Sequence, residues 1–312
     1  MRKLLHLAVA IAVGASLSAR EPARARRVQL RVPVSLESQE RLGPSDFQVS
    51  LDGKPARILA VKAPGDDQII LLVLDVSGDI ADFDPAREAI AAELAKLPAR
   101  TYVSLLHAQD GLAVLRDPTP DREAVKQIVQ DLPVAGKAGL LDTVEAVERI
   151  ADSMAAVSPV RVTVLYITDS NVRNYREDFS NPVINSSDSH DLSRKFPEAL
   201  IQEKFSKLEN SLARRQTPLY LVHLHYRGDA LNEAYQNGLK GLAELTGGST
   251  TFCRSTVEIP GAIEHAFQRI SAQYSITVAL PERLPPVVQV QVAAERAGEP
   301  LAHRTRFVLK EK

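Results

Sequence analysis

Apolar and polar residues alternate at the two ends of the chain, and unbroken apolar runs replace that alternation in the middle. Val28-Gln-Leu-Arg-Val-Pro-Val-Ser-Leu36 has the period of two expected of a half-buried strand. Phe47-Gln-Val-Ser-Leu51 repeats it, Asp52-Gly53 marks a tight turn, and Ala56 to Val61 returns. After Tyr274 the same pattern comes back in Tyr274–Val278, Val287–Val292 and Arg306–Leu309.

Between these ends, Ile69-Ile-Leu-Leu-Val-Leu74 is apolar throughout and stops at Asp75, as a parallel strand covered on both faces would. Asp84-Pro85 is expected to open a helix with Ile90, Leu94 and Leu97 inward. Strands are predicted at Tyr102–Leu106, Leu112–Leu115, Val162–Ile167, Leu219–Leu224 and Thr250–Cys253. The intervening helices are predicted after Thr119-Pro120, over Leu140–Val157, over Phe196–Arg215, over Leu231–Leu245 up to Gly247-Gly248, and over Ile259–Ala272. Repeated strand–helix units predict a parallel sheet with right-handed crossovers. The expected fold is α/β: a doubly wound, mostly parallel six-stranded sheet over residues 66–273. Residues 26–63 and 274–312 are expected to form a small β-sandwich.

Composition narrows the function classes. Of 312 residues, 45% are apolar and 25% charged, the balance of a globular protein. With no Trp and 5% aromatics, stacking platforms for sugars or single-stranded nucleic acid are scarce, and a formal charge of −1 leaves no basic face, so nucleic acid is not an expected partner. Arg2 and Lys3, the apolar run from Leu4 to Leu17 and the small residues Ser16 to Ala19 read as a secretory leader over residues 1–19. Its removal is expected to leave a secreted or periplasmic protein with no membrane span. Cys253 is the single cysteine, which excludes disulfides within the chain and suits a buried apolar position.

Three short motifs carry the chemistry. Asp75-Val76-Ser77-Gly78-Asp79 follows the first apolar run, Ile167-Thr168-Asp169-Ser170 follows a later one, and Ala135-Gly136-Lys137-Ala138-Gly139-Leu140-Leu141-Asp142 lies between them. With the sheet pattern, they resemble the von Willebrand factor type A domain, whose metal-ion-dependent adhesion site combines Asp-x-Ser-x-Ser, a Thr from a Gly-Gly-Thr loop and Thr-Asp-Gly. Residues 44–58, 242–248 and 269–274 extend the resemblance to secreted bacterial proteins related to that domain. The resemblance implies non-enzymatic binding of a protein partner. Its metal site would be built from Asp75, Ser77, Asp79 and Asp169 and would take Mg²⁺, or Mn²⁺ or Ca²⁺. The chain departs from the pattern at Asp79 for Ser, Ala138 for Thr and Ser170 for Gly.

Three arrangements are open for this cluster. Carboxylates this close repel unless a cation sits among them, which favours a metal. Lys137 could supply the positive charge instead, or the cluster could be a solvated relic with no cofactor. The rim positions Lys137, Asn171 and His225 are the expected partner contacts, with the polar stretch Ser170–Ser193 nearby. His223 and His225, two apart, are expected to share a strand face. A hydrolase is not expected, because Asp75 and Asp79 occupy the glycine positions of a nucleophile elbow around Ser77. Gly136-Lys137 lacks the earlier glycine and the Ser or Thr of a phosphate loop. Arg227-Gly-Asp229 reads as a turn and helix cap. The alternative to a binding module is a structural part of an extracytoplasmic assembly with a vestigial metal site.

Overall fold

The computed structural model describes residues 29–36, 41–78, 80–172, 197–281, 283, 285–294 and 301–309. The leader at 1–19, Asp79 and most of the Ser170–Ser193 stretch lie outside them. No helix among the described residues is long and apolar enough to cross a membrane.

The apolar run at 69–74 becomes β5 (Gln68–Asp75), at the centre of a six-stranded sheet. Parallel neighbours β6 (Thr101–His107) and β8 (Arg161–Thr168) flank it. Beyond β8 lie β9 (Leu219–His223) and β10 (Ser249–Phe252), also parallel, while β7 (Ala113–Thr119) runs antiparallel at the other edge. The sheet order is β10-β9-β8-β5-β6-β7. Every residue of β8 is buried, which accounts for its mostly apolar sequence, Val162-Thr-Val-Leu-Tyr-Ile167.

Helices cover both faces. On one, α1 (Ile80–Lys96), α2 (Arg122–Asp131) and α6 (Ile259–Ala272) bury Phe83, Ile90, Val125, Val129, Ile263 and Phe267. On the other, α3 (Leu140–Val157), α4 (Pro197–Leu212) and α5 (Ala230–Thr246) bury Val144, Val147, Phe205, Leu208, Leu239 and Leu242.

Local boundaries differ from expectation in two helices. α1 begins at Ile80 rather than Asp84, so Pro85 lies inside it. Phe83, Ala86, Ile90 and Leu94 are all buried at helical spacing, and that face outweighs the single hydrogen bond proline forgoes near a helix start. α2 is capped by Asp121, whose side chain accepts from Ala124 N, rather than by Thr119. Asp229 caps α5 in the same way through Asn232 N, which accounts for Arg227-Gly-Asp229 as a turn and cap.

The terminal strands form two more sheets. One orders β13 (Ala302–His303), β1 (Gln29–Ser35), β11 (Tyr274–Ala279) and β4 (Ile58–Lys62). The other orders β14 (Arg306–Val308), β12 (Val287–Ala294), β2 (Phe47–Leu51) and β3 (Lys54–Pro55). Leu30, Val32, Ile276 and Val278 of the first share one core with Val49, Val288, Val290 and Phe307 of the second.

Buried polar groups join this sandwich to the α/β unit. Arg304, between β13 and β14, donates to the carbonyls of Ala213 and Arg215 just past α4 and to Arg306 O at 2.8 Å, and stacks 4.1 Å from the Phe307 ring centroid. Arg31 N on β1 donates to Gln216 Oε1 at 2.9 Å. Gly247 ends α5 with φ +89, and a Cβ there would meet Pro33 Cγ of β1 at 2.6 Å. Gly247→Ala is therefore expected to cost about 1–2 kcal/mol, from the left-handed backbone and the contact together. Urea denaturation would measure it, and an unchanged midpoint would show that the joint tolerates a side chain there.

Candidate binding cleft at the sheet edge

Parallel strands place their C-terminal ends together, and here Asp75 pairs in register with Thr168, and Thr168 with His223. The motif residues thus reach one edge of the sheet from three adjacent strands. Ligand sites of open α/β sheets form at that edge.

Asp75 is fully buried. Its Oδ1 accepts Gly139 N at 2.8 Å, and Oδ2 accepts Leu140 N at 3.2 Å and the Thr168 hydroxyl at 2.8 Å. The carboxyl therefore sits on the N-terminus of α3, where unsatisfied N–H groups and the helix dipole favour an acceptor. Burial nevertheless pushes its pKa up to about 7, against the pull of the Gly139 and Thr168 hydrogen bonds and with the charge of Asp169 adding to the rise.

Asp169 makes a second arrangement of the same kind. Ser77 N donates to both its oxygens, at 3.0 and 3.2 Å, Gly78 N donates to Oδ2, and the Ser77 hydroxyl lies 3.5 Å from Oδ1. Burial raises its pKa, and these bonds to Ser77 and Gly78 hold it back. A Cβ at position 78 would come within 2.5 Å of Asp169 Oδ2, so the carboxylate needs glycine there.

The middle loop is moored elsewhere. Lys137 N donates to Asp110 Oδ1 and Asp110 N donates to Lys137 O, both at 2.9 Å. Gly136 turns the chain at φ +87, and a Cβ there would lie 2.2 Å from Asp110 Oδ2. Ala138 is buried and offers the cleft only a methyl group.

The histidines do not share a strand face as expected, because β9 ends at His223. His223 is buried, its Nε2 lies 2.7 Å from Ser170 O, and its Nδ1 accepts His225 N at 3.3 Å. Those roles put the proton on Nε2, and burial depresses its pKa to about 4, so the ring is neutral and pins the loop that follows Asp169. Tyr235 OH reinforces that loop by donating to Ser170 Oγ at 2.8 Å. His225, by contrast, is 49% exposed and bridges to Asp82 Oδ2 on α1 at 3.1 Å. The Asn171 side-chain amide donates to Asp169 O at 3.4 Å.

Of the expected metal ligands, Asp75, Ser77 and Asp169 come together and Asp79 lies outside the described residues. A divalent cation fits them poorly. A carboxylate offers about four lone-pair sites. Asp75 already accepts three hydrogen bonds, and both oxygens of Asp169 are taken by Ser77 and Gly78. Among the described residues no group of three or more His, Cys, Asp or Glu is arranged to hold a metal. Sequence reasoning missed Asp110, Asp82 and the backbone donors. A turn signal at Asp110-Gly111 existed, but nothing in the sequence joins Asp82 to His225.

No family model matches the chain, and no curated protein matches it. Solved structures resemble it at low identity. Proximal thread matrix protein 1 of the mussel byssus is 13% identical over 68% of this chain with a TM-score of 0.42, and this chain spans 50% of that protein's length. A von Willebrand factor type A protein from Catenulispora acidiphila is 12% identical over 90% of this chain and 73% of its own, at a TM-score of 0.43. The von Willebrand factor domain of the type V pili tip protein Mfa5 from Porphyromonas gingivalis is 13% identical over 66% of this chain and 95% of its own, at 0.44. The central unit is an α/β fold, a six-stranded sheet with one antiparallel edge strand and helices on both faces.

Proposed function

We propose that this chain is an extracytoplasmic, non-enzymatic protein-binding module that captures its partner on the C-terminal edge of the six-stranded sheet. The observation that carries this reading is the pair of buried carboxylates, Asp75 and Asp169, each spent on fixing loops rather than on reacting. Asp75 ties the 138–140 turn to the ends of β5 and β8, and Asp169 ties the 77–78 turn to β8. Loops held this way present Ser77, Lys137, Asn171 and His225 as a preorganised polar rim, which lowers the cost of ordering them on binding. The adhesion site is degenerate: its acids work as internal ligands of backbone amides, and partner capture proceeds without a resident Mg²⁺, Mn²⁺ or Ca²⁺. Among the described residues no histidine is hydrogen-bonded to Ser77, since His223 serves Ser170 and His225 serves Asp82.

The rim residues, not the buried acids, are the ones to change. Lys137→Glu combined with His225→Glu is expected to reduce capture of the partner from a cell extract by roughly tenfold or more, because misplaced charge at an interface is costly. The melting temperature should stay near the parent's, and EDTA should leave capture by the parent chain unaltered. Capture that survives the double substitution would move the binding surface away from this edge and toward the sandwich. Capture abolished by EDTA would restore the metal.

A further inference from the structure

At the opposite edge of the six-stranded sheet, where β8 and β9 begin, a cavity of about 490 Å³ opens between the α/β unit and the sandwich. Arg31 of β1 lines it from one side and Arg161 of β8 from the other, with Gln216, Thr217 and Ser275 between them. The volume falls in the range of small-molecule sites, which also favour boundaries between structural units.

The described lining carries two arginines and one carboxylate, with the charge of Asp66 acting on Arg161 from outside it. Arg161 is 6% exposed. Its guanidinium donates only to neutral groups, the carbonyl of Gln273, the Ile270 carbonyl at 3.5 Å and Gln68 Oε1 at 2.6 Å, and its Nε is buried with no hydrogen-bond partner. The Arg31 side chain is half-buried and enters no ion pair among the described residues. Asp152 is the one carboxylate in the described lining; its Oδ1 is taken by Gln216 N at 3.2 Å and the Thr217 hydroxyl at 2.9 Å, its Oδ2 lies 3.9 Å from Arg215 Nη1, and its charge only partly offsets the burial of Arg31. A guanidinium removed from water without a counter-ion is costly, and proteins normally pair it. Its planar fork of donors matches carboxylate and phosphate oxygens. Burial lowers the pKa of both arginines, to about 10 for Arg161, and both stay cationic at neutral pH.

We propose that this cavity is a binding site for a small oxyanion-bearing molecule, a carboxylate or a phosphate, gripped between Arg31 of the sandwich and Arg161 of the α/β unit. A ligand there joins the two units through charge-assisted bonds to both, so it stiffens their junction as well as occupying it.

The test uses the full chain at constant ionic strength, with sodium chloride replaced stepwise by inorganic phosphate in one arm and by succinate in the other. Melting temperature and titration calorimetry are read in both. A saturable rise in melting temperature in at least one arm, with heat of binding, is expected, and the responding arm identifies the oxyanion. Arg31→Gln should weaken that binding by roughly tenfold or more. Gln29→Glu, an exposed substitution at the lining that leaves the core intact, should weaken it several-fold by repulsion. A melting temperature that tracks ionic strength alone in both arms would overturn the proposal. So would equal affinities in the parent, Arg31→Gln and Gln29→Glu chains.

Discussion

Asp75→Ala is expected to lower the unfolding free energy by about 3–5 kcal/mol, the range for stripping partners from a buried polar network. The substitution leaves Gly139 N, Leu140 N and the Thr168 hydroxyl without their acceptor in a site closed to water. Each orphaned donor costs about 1–3 kcal/mol before relaxation. Asp75→Asn keeps one acceptor oxygen and the side-chain volume, and should fall between parent and alanine. The penalty should also depend on pH. With a folded pKa of about 7 against an ordinary 3.8, the carboxyl binds its proton more tightly in the folded state. Its contribution is therefore full below the unfolded value and is lost as pH rises through the folded one. The alanine penalty should accordingly be larger at pH 5 than at pH 8. Guanidinium denaturation of the three chains at both pH values checks this, and a loss under about 1 kcal/mol for alanine would sink the view that Asp75 organises the cleft.

Glu148→Met should move stability the other way, by about 1–4 kcal/mol, as expected when a buried polar group gives way to an apolar one of similar size. Glu148 is on α3, fully buried, and neither of its carboxyl oxygens has a hydrogen-bond partner. Burial, with Asp152 adding repulsion, raises its pKa well above the ordinary value, and Arg215 and Arg304 only partly offset this. The folded state therefore holds this proton too, and the parent should lose stability as pH rises from the ordinary glutamate range toward the raised value. Methionine removes that dependence, so the pH profile should flatten as the midpoint rises. A destabilised variant would mean that Glu148 is ionised and paired with Arg304.

The α/β layer was readable because burial on both faces leaves an unmistakable mark. The run 69–74 admits no polar interruption and the fully buried β8 is mostly apolar, and each leads directly into the acid that reaches the cleft. Asp75, Ser77 and Asp169 could be brought together from their motifs for that reason. Their role could not, because their ligands are main-chain N–H groups of Ser77, Gly78, Gly139 and Leu140, and any residue but proline carries one. Lys137 read as a replacement cation from proximity in sequence, yet its backbone is anchored on Asp110. Glu148 and Arg161 fell on ordinary helix and strand positions, and Arg304 between two short strands, at sites whose burial depends on the sandwich packing against the α/β unit. No local pattern reports that packing.

β1 lies alongside β11, with Gln29 opposite Ala279, and β2 alongside β12, with Val49 opposite Val292. Each pairing spans about 250 residues, while the sheet they enclose is built from neighbouring strand–helix units, so loop-closure entropy favours the inner unit first. During synthesis β1 must wait unmated, and β2 with only the short β3 beside it, until β11 and β12 have emerged. A nascent chain halted after α6 would carry a finished inner domain and two exposed strand edges, the species most prone to mispair with a neighbour. β11 and β12 thus act as the closing clasp, and deleting them should reveal itself first as aggregation.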